Sequence, residues 1–251
     1  MSDTPKILTR KDGGAIAYSQ IHGKTPGVVF LAGFKSDMTS TKALALEAFC
    51  RNRGHAFLRF DYTGHGQSSG DFKDGTIGEW SSDAVLALDC LCDGPQVLIG
   101  SSMGGWIMLL AAIARSEKVA GLIGTAAAPD FTEDLIRNKF SMEQIDQLEN
   151  RGFVEIPNCY SEEPYIISKE LLDEGRKHLL LRTKIPIDCP VRLIHGDADQ
   201  DVPWQTSLQI AKNLRSQNVE VLFVKRGNHR LSEPQDLDRL CRTLERLLDH
   251  L

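Results

Sequence analysis

VLIGSSMGGW, from Val97 to Trp106, is the stretch that decides the fold. An apolar run ends abruptly there, and two serines and three glycines follow before apolar residues resume. Gly100 to Gly104 fits the pattern G-x-S-x-G, with Ser102 at its centre. In that pattern a strand turns sharply into a helix and strains the backbone of the serine, so the residues two positions away must be small. The apolar runs on both sides predict the strand and the helix that such a turn requires.

The pentapeptide is weak support when taken alone. Glycine and serine each make up about 7% of residues, so a chain of this length matches by chance roughly one time in ten. The alternative is an ordinary strand-to-helix turn whose hydroxyl groups bond to the backbone, which is the role we assign to Ser101. The rest of the chain must therefore decide between the two interpretations.

Short apolar runs rich in β-branched residues recur along the chain. They are GVVFLAG from Gly27, HAFLRFD from His55, QVLIGS from Gln96, VAGLIGTA from Val119, PVRLIHG from Pro190 and VEVLFV from Val219. Most lack period-2 alternation, as expected for a parallel sheet that is covered on both faces. Helix-like segments separate the runs, so we predict an α/β fold with a doubly wound, mostly parallel sheet. KILTR and AIAYSQI, around Asp12-Gly13-Gly14, predict an N-terminal hairpin that joins this sheet in antiparallel pairing.

The interval from Pro129 to Ile187 does not continue this alternation of strands and helices, because it contains helical pieces and no convincing strand. We predict a helical lid at residues 129–187, inserted between a first core part at 1–128 and a second core part at 188–251, since long inserts in compact domains are usually functional. Four aromatic residues of this interval either line an acyl tunnel or pack the lid on the core. They are Phe140, Phe153, Tyr160 and Tyr165.

Composition excludes several classes of protein. The net charge of −5 is spread over both signs without a basic block, which argues against nucleic acid as a partner. No apolar run approaches the roughly 20 residues that cross a bilayer. Six cysteines are scattered without a C-x-x-C pair, so we expect reduced thiols and no zinc site. MSDTPKILTR, the first ten residues, shows neither a signal core nor a transit helix, so we expect a cytoplasmic protein.

A serine nucleophile needs a histidine base and an acid to orient that base. HGDADQDVP, from His195 to Pro203, follows one predicted strand, and KRGNH, which ends at His229, follows the last. Both loops lie at carboxyl ends of strands, where open α/β sheets bind their ligands. Asp197, Asp199 and Asp201 crowd the first loop, and their chemistry alone leaves the choice of acid open.

Two backbone N–H groups are expected to stabilise a developing oxyanion. Met103 follows the serine and opens a helix, whose dipole favours negative charge. The second donor is expected from Phe34, in the loop that begins at Gly33 after VVFLA.

On these residues the chain resembles the α/β-hydrolase superfamily over almost its full length. More narrowly, it resembles the mitochondrial palmitoyl-protein thioesterase branch of α/β-hydrolase-domain proteins. The stretches that carry this likeness are TKALALEAFC, RFDYTGHGQSSG, GSSMGGW, YSEE, RLIHGDADQDVPW and NHR. The family pattern H-G-x-x-D-x-x-V-P falls on His195 to Pro203 and selects Asp199 as the acid, with Ser102 as nucleophile and His229 as base. That branch cleaves S-palmitoyl thioesters and glucuronide acyl esters, so the resemblance implies acyl transfer to water without metal or organic cofactor.

These observations predict a serine hydrolase that acts on small-molecule or protein-linked acyl esters or thioesters. Its activity should fall as the pH drops through the titration of a histidine, ordinarily near 6.5. A peptidase or a carbon–carbon hydrolase could use the same triad, whereas a dehalogenase would need aspartate in place of Ser102. A non-catalytic ligand receptor on the same scaffold is the alternative from another class. If the chain is a processed eukaryotic form, the expected location is the mitochondrial matrix.

Overall fold

The computed structural model describes residues 4–156 and 164–251. Within these residues, ten strands follow one another along the chain. They are β1 (Lys6–Thr9), β2 (Ala15–Ile21), β3 (Lys24–Leu31), β4 (His55–Phe60), β5 (Gln96–Ser101), β6 (Val119–Thr125), β7 (Phe153–Ile156), β8 (Tyr165–Ser168), β9 (Val191–Gly196) and β10 (Val219–Val224). Eight of them form one sheet in the order β1-β2-β4-β3-β5-β6-β9-β10. The non-consecutive neighbours in this order are the crossovers of a doubly wound sheet.

The pairing of the strands confirms the predicted fold class. From β4 to β10, neighbouring strands pair in parallel. The predicted N-terminal hairpin is also confirmed, because β1 pairs antiparallel with β2, and β2 pairs antiparallel with β4. Every residue of β5 is buried, which explains why its sequence is a continuous apolar run without alternation.

Helices follow most strands and cover the sheet. They are α1 (Thr41–Arg53), α2 (Ile77–Leu91), α3 (Met103–Ala114), α4 (Met142–Arg151), α5 (Lys169–Gly175), α6 (Gln205–Asn213) and α7 (Pro234–Leu248). α1 packs on α7, while α2 packs on α3. α2 and α3 carry Trp80 and Trp106, which are among the largest fully buried side chains of the core. None of the described helices is both long enough and apolar enough to cross a membrane.

The segment 129–187, here termed the insertion, differs from the purely helical segment that we predicted. It contains α4 and α5, but β7 and β8 also pair antiparallel as a separate two-stranded sheet. FVEI and YIIS, the two strand sequences, have only four residues each, which is too short for alternation to be recognised. FTEDLIRNKF, which starts at Phe131 in the interval that we predicted to be helical, forms a single wide turn at Thr132–Ile136 followed by a tight turn at Arg137–Lys139. Tyr160 and the stretch YSEE lie outside the described residues.

Both ends of the insertion are fastened to each other and to the core. The buried carboxylate of Asp130 accepts hydrogen bonds from the N–H groups of Leu180 and Leu181, both at 2.8 Å. From the core, the indole Nε1 of Trp106 donates to the carbonyl of His178 at 3.1 Å. The insertion therefore leaves and rejoins the sheet at one place, beside the carboxyl ends of the strands.

Candidate active site

Ser102 lies in the sharp turn between β5 and α3. Its backbone has φ 55° and ψ −121°, which is the strained conformation that the sequence pattern predicts. The two flanking glycines are required by close packing. A Cβ atom on Gly100 would lie 2.3 Å from the carbonyl oxygen of Gly104, and one on Gly104 would lie 2.0 Å from that of Leu31. No larger residue fits at either position while the turn keeps its shape.

A chain of two hydrogen bonds joins Ser102 to the other two residues of the predicted triad. His229 Nε2 lies 3.0 Å from Ser102 Oγ, and His229 Nδ1 lies 2.8 Å from Asp199 Oδ2. A carboxylate only accepts, so Nδ1 carries the proton and Nε2 presents its lone pair to the serine hydroxyl. The side chains come from the loops after β5, β9 and β10, which end at the same edge of the sheet. This is the geometry in which a histidine can act as a base on a serine.

Among the three aspartates of the loop after β9, the structure brings Asp199 to the histidine. Its other carboxylate oxygen accepts from the N–H groups of Asp201 and Val202, each at 2.9 Å. Burial opposes the ionisation of Asp199, but hydrogen bonds from His195, His229 and the backbone hold its pKa well below the ordinary value. Asp197 instead faces Lys225, whose Nζ lies 2.9 Å away.

His195 is a member of the site that sequence reasoning missed. The residue is fully buried, and its Nε2 lies 3.1 Å from Asp199 Oδ2 and 3.0 Å from the carbonyl oxygen of Val202. Both partners are acceptors, so Nε2 carries a proton and donates, while Nδ1 accepts from the hydroxyl of Ser207 at 2.7 Å. The sequence feature that could have identified His195 is its position at the start of the family pattern H-G-x-x-D-x-x-V-P. The acid thus receives hydrogen bonds from two histidines.

Phe34 and Met103, the two predicted oxyanion donors, both line the cavity in front of Ser102. A Cβ atom on Gly33 would lie 3.4 Å from the Cβ of Ser102, so the loop after β3 runs directly beside the serine. Within the described part of the chain, neither the N–H of Phe34 nor that of Met103 donates a hydrogen bond to the backbone or to a side chain. Both donors are therefore available to a ligand.

The cavity has a volume of about 790 Å³ and two chemically distinct sides. The insertion forms one side, to which it contributes Lys139 and the apolar side chains of Phe131, Leu135, Ile136, Ile156, Tyr165 and Ile167. Polar and basic residues from the start of α1 and the loop after β10 form the other, and these are Ser40, Thr41, Lys42, Arg230 and Ser232. Of the aromatic residues considered for a tunnel, Tyr165 lines the cavity, whereas Phe140 packs on the core and Phe153 lies under the guanidinium of Arg151.

One set of potential metal ligands occurs in the described residues, and it overlaps the triad. Single ligand atoms of Asp199, Asp201 and His229 lie within 4.8 Å of one another. Asp199 and His229 already bond to each other, so an ion held there would have to break the hydrogen bond that orients the histidine. The donor set therefore fits the proton-transfer chain better than a metal centre.

The family of the chain follows from comparison with known proteins. A sequence model described as the alpha/beta hydrolase family matches residues 28–243. The chain belongs to the alpha/beta hydrolase family. As a family member it carries Ser102, Asp199 and His229 in the chain order, and after the strands, that this fold uses for a catalytic triad.

Relatives within this hydrolase family match nearly the whole chain. The human protein named palmitoyl-protein thioesterase ABHD10, mitochondrial, is 44% identical over 246 residues, which are 98% of this chain and 80% of the human one. The structure of alpha/beta hydrolase domain-containing protein 10 from mouse superposes with a TM-score of 0.92 and 42% identity, covering 98% of this chain and 99% of the mouse one. A putative hydrolase from Agrobacterium vitis S4 also reaches a TM-score of 0.92, with 36% identity and 98% coverage of both chains.

Proposed function

We propose that this protein is a serine hydrolase that cleaves acyl esters or thioesters, with Ser102 as nucleophile, His229 as general base and acid, and Asp199 as the acid that orients His229. The observation that carries this proposal is the continuous hydrogen-bond chain from Asp199 through His229 to Ser102. Family membership supports the same chemistry, and the names of the mammalian relatives favour a thioester substrate.

The reaction follows from the geometry of these groups. His229 Nε2 takes the proton of the Ser102 hydroxyl as its oxygen attacks the acyl carbonyl, and the carboxylate of Asp199 stabilises the resulting imidazolium. The imidazolium then gives its proton to the leaving thiol or alcohol, and an acyl-serine ester remains. Water, deprotonated by His229, attacks this ester, releases the fatty acid and restores the serine.

The N–H groups of Phe34 and Met103 hold the oxyanion in this mechanism. Met103 opens α3, a helix of 12 residues, so its N–H also benefits from the positive end of the helix dipole. Donors that are aimed at the developing charge before the reaction starts lower the barrier without further rearrangement.

The insertion, residues 129–187, serves as the lid over the acyl chain, between the core parts 1–128 and 188–251. Its apolar side chains form one side of the cavity, where an alkyl chain would remove apolar surface from water. A volume of about 790 Å³ lies in the range of small-molecule sites. The palmitoyl thioesterase names of the relatives suggest a long acyl group, and their mitochondrial names favour the matrix over the cytoplasm as the location.

The experiment is hydrolysis of a chain-length series of nitrophenyl esters and matched thioesters. Replacement of the nucleophile in Ser102→Ala should reduce kcat/KM by about 10³-fold or more, because only binding and the oxyanion donors remain. Ser101→Ala is the matched control, since it removes the neighbouring hydroxyl, and it should keep most of the activity.

Labelling by an alkyl phosphonate separates the outcomes. If Ser102 is labelled but none of the esters is hydrolysed, the nucleophile is right and the substrate class is wrong. If neither turnover nor labelling occurs, the proposal fails and the non-catalytic receptor takes its place.

A further inference from the structure

The described lining of the cavity carries more basic than acidic residues, although the chain as a whole is acidic. Four cationic residues line it, Lys35, Lys42, Lys139 and Arg230, and among the described lining residues Asp201 is the only carboxylic acid. The net charge of the whole chain is −5. Positive charge in a concave site concentrates anions there, because field lines converge between low-dielectric walls.

Lys42 is the most unusual of these cations because it is buried and makes no ion pair with the described residues, although the charge of Asp236 acts on it from a longer distance. Its exposed fraction is 8%, and its Nζ donates to the carbonyl of Arg230 and, at 3.2 Å, to the hydroxyl of Ser232. In the described ranges 4–156 and 164–251, no carboxylate lies within ion-pair distance of this ammonium. A buried charge costs free energy unless it is paired, and the third donor of the ammonium remains for a ligand.

Burial, together with the nearby charge of Arg230, lowers the pKa of Lys42 to about 8, although the charge of Asp236 acts in the opposite direction. At neutral pH the group is therefore still mostly charged. The ammonium therefore stays charged in a buried environment that disfavours charge, and a bound anion would offset this free-energy cost.

The start of α1 adds a second feature that favours an anion at the same place. Ser40 precedes this 13-residue helix, yet its side chain does not cap it, and the first turn contains no acidic residue. The Ser40 hydroxyl oxygen is buried and has no hydrogen-bond partner in the described part of the structure. Uncapped N–H groups, the helix dipole, a buried hydroxyl and the Lys42 ammonium thus meet on one side of the cavity.

The position of this group relative to His229 indicates which part of a substrate it would meet. Arg230 directly follows His229, and Lys42 bonds to the carbonyl of Arg230, so these two cations lie on the histidine side. The leaving group departs on that side, because His229 must hand it a proton. The apolar side of the cavity, formed by the insertion, is left for the acyl chain.

We infer that Lys42 determines specificity for substrates whose leaving thiol or alcohol carries a negative charge, either a carboxylate or a phosphate. Ser40 and Ser232 lie beside Lys42 and complete the subsite. This inference rests on the proposed function, because it concerns the leaving group of the same hydrolysis.

The experiment compares thioesters that differ only in the charge of the leaving group. Octanoyl thioesters of 3-mercaptopropionate and 3-mercaptopropionamide test a carboxylate, and those of 2-mercaptoethyl phosphate and 2-mercaptoethanol test a phosphate. The protein should prefer the charged member of at least one pair by tenfold or more in kcat/KM, as expected for a hydrogen bond between charged groups. The pair with the larger preference identifies which anion fits.

Substitution of the lysine then assigns the preference. Lys42→Met should abolish it, mainly by raising KM for the charged thioester, so that the ratio of kcat/KM for the charged thioester to that for the neutral thioester falls to about one. Lys42→Arg should keep part of the preference, and Lys212→Met, an exposed lysine on α6 outside the cavity, should keep all of it. A wild type that does not discriminate, or a Lys42→Met variant that loses both substrates equally, would overturn the inference.

Protection of Ser102 from a slow alkyl phosphonate gives a readout that requires no turnover. Free 3-mercaptopropionate or 2-mercaptoethyl phosphate should protect wild type better than its neutral counterpart, and the difference should shrink as salt screens the charge. Labelling without any protection contradicts the anion subsite while leaving the nucleophile intact. Loss of labelling itself contradicts the proposed function, so the two failures are distinguishable.

Discussion

The loops that carry Ser102, Asp199 and His229 and the insertion that lines the neighbouring cavity are held in place by different means. Around Ser102 the backbone is packed against backbone, with glycines where a Cβ would lie 2.0 to 2.3 Å from carbonyl oxygens. The insertion is fastened by side chains instead, through the carboxylate of Asp130 and the indole of Trp106. Backbone packing tolerates almost no substitution, whereas side-chain fastening allows the surface between the anchors to vary. A family can therefore keep one chemistry and change its substrate by changing the insertion.

A methyl group added to a glycine in each region should show the largest difference. Gly104→Ala places a Cβ 2.0 Å from the carbonyl oxygen of Leu31, and we expect a loss of at least ~3 kcal/mol in the free energy of unfolding, or no folded protein. Gly152→Ala, in the insertion, has nothing within 4 Å of the new Cβ and a φ of +77°, so only the strain of about 1–2 kcal/mol is expected. Urea denaturation of both variants measures the difference, and equal losses would contradict it.

Two neighbouring aspartates give the next largest contrast, this time in activity. Asp199→Asn removes the carboxylate that fixes the tautomer of His229, and kcat should fall about 10³–10⁴-fold. Asp197→Asn changes a carboxylate only two positions away that binds Lys225, so its kcat should stay within a few-fold of wild type. Comparable losses in the two variants would show that the acid has been misassigned.

Substitution inside the insertion should change the preferred substrate rather than the chemistry. Leu135→Trp fills part of the apolar side of the cavity, so we expect the optimum acyl chain to shorten and kcat/KM for long chains to fall about tenfold. Labelling of Ser102 by a short phosphonate should remain unchanged. Leu44→Ala, which truncates an exposed leucine of α1 outside the cavity, is the control. An unchanged chain-length profile for Leu135→Trp would remove the acyl chain from this side.

The smallest expected effect is a difference in pH dependence between two buried carboxylates, one from each region. Burial raises the pKa of Asp130 despite its two backbone hydrogen bonds, whereas hydrogen bonds from two histidines hold that of Asp199 below its ordinary value despite burial. Because the pKa of Asp130 is raised, ionisation of this carboxyl lowers the free energy of unfolding as the pH rises above about 4. Because the pKa of Asp199 is lowered, its carboxylate increases the free energy of unfolding at neutral pH, and this contribution is lost as the pH falls below about 4.

Thermal unfolding of Asp130→Asn and Asp199→Asn between pH 3 and pH 7 measures this difference. The loss of stability in Asp199→Asn, relative to wild type, should be larger at pH 7 than at pH 3. In Asp130→Asn it should be larger at pH 3. The same trend in both variants would contradict the assignment of the two pKa directions.

The contrast between backbone packing around Ser102 and side-chain contacts in the insertion also explains which features could be predicted from the sequence. The strained turn at the serine requires flanking glycines, and the ends of buried strands are visible as the ends of apolar runs. Ser102 and His229 could therefore be recognised from a single sequence. Asp199 needed the family pattern, because three aspartates in one loop are chemically alike until the fold turns one toward the histidine. β7 and β8 were missed, since four-residue strands carry too little pattern. The contacts of Lys42 depend on packing between α1 and the loop after β10, which no local spacing encodes. His195 bonds to residues no more than 12 positions away, but only its place in the family pattern could have indicated them.

The hydrogen bond between His229 and Ser102 spans 127 positions of the chain and has a consequence for the life of the protein in the cell. Ser102 emerges from the ribosome long before His229, so under the proposed mechanism a nascent chain cannot hydrolyse a substrate until His229 has been synthesised. Contacts of such long range also form late when a denatured chain refolds. Recovery of activity would thus report that β5, β9 and β10 have assembled, whereas the fluorescence of Trp80 and Trp106, in a variant without Trp204, would report only that α2 and α3 have packed.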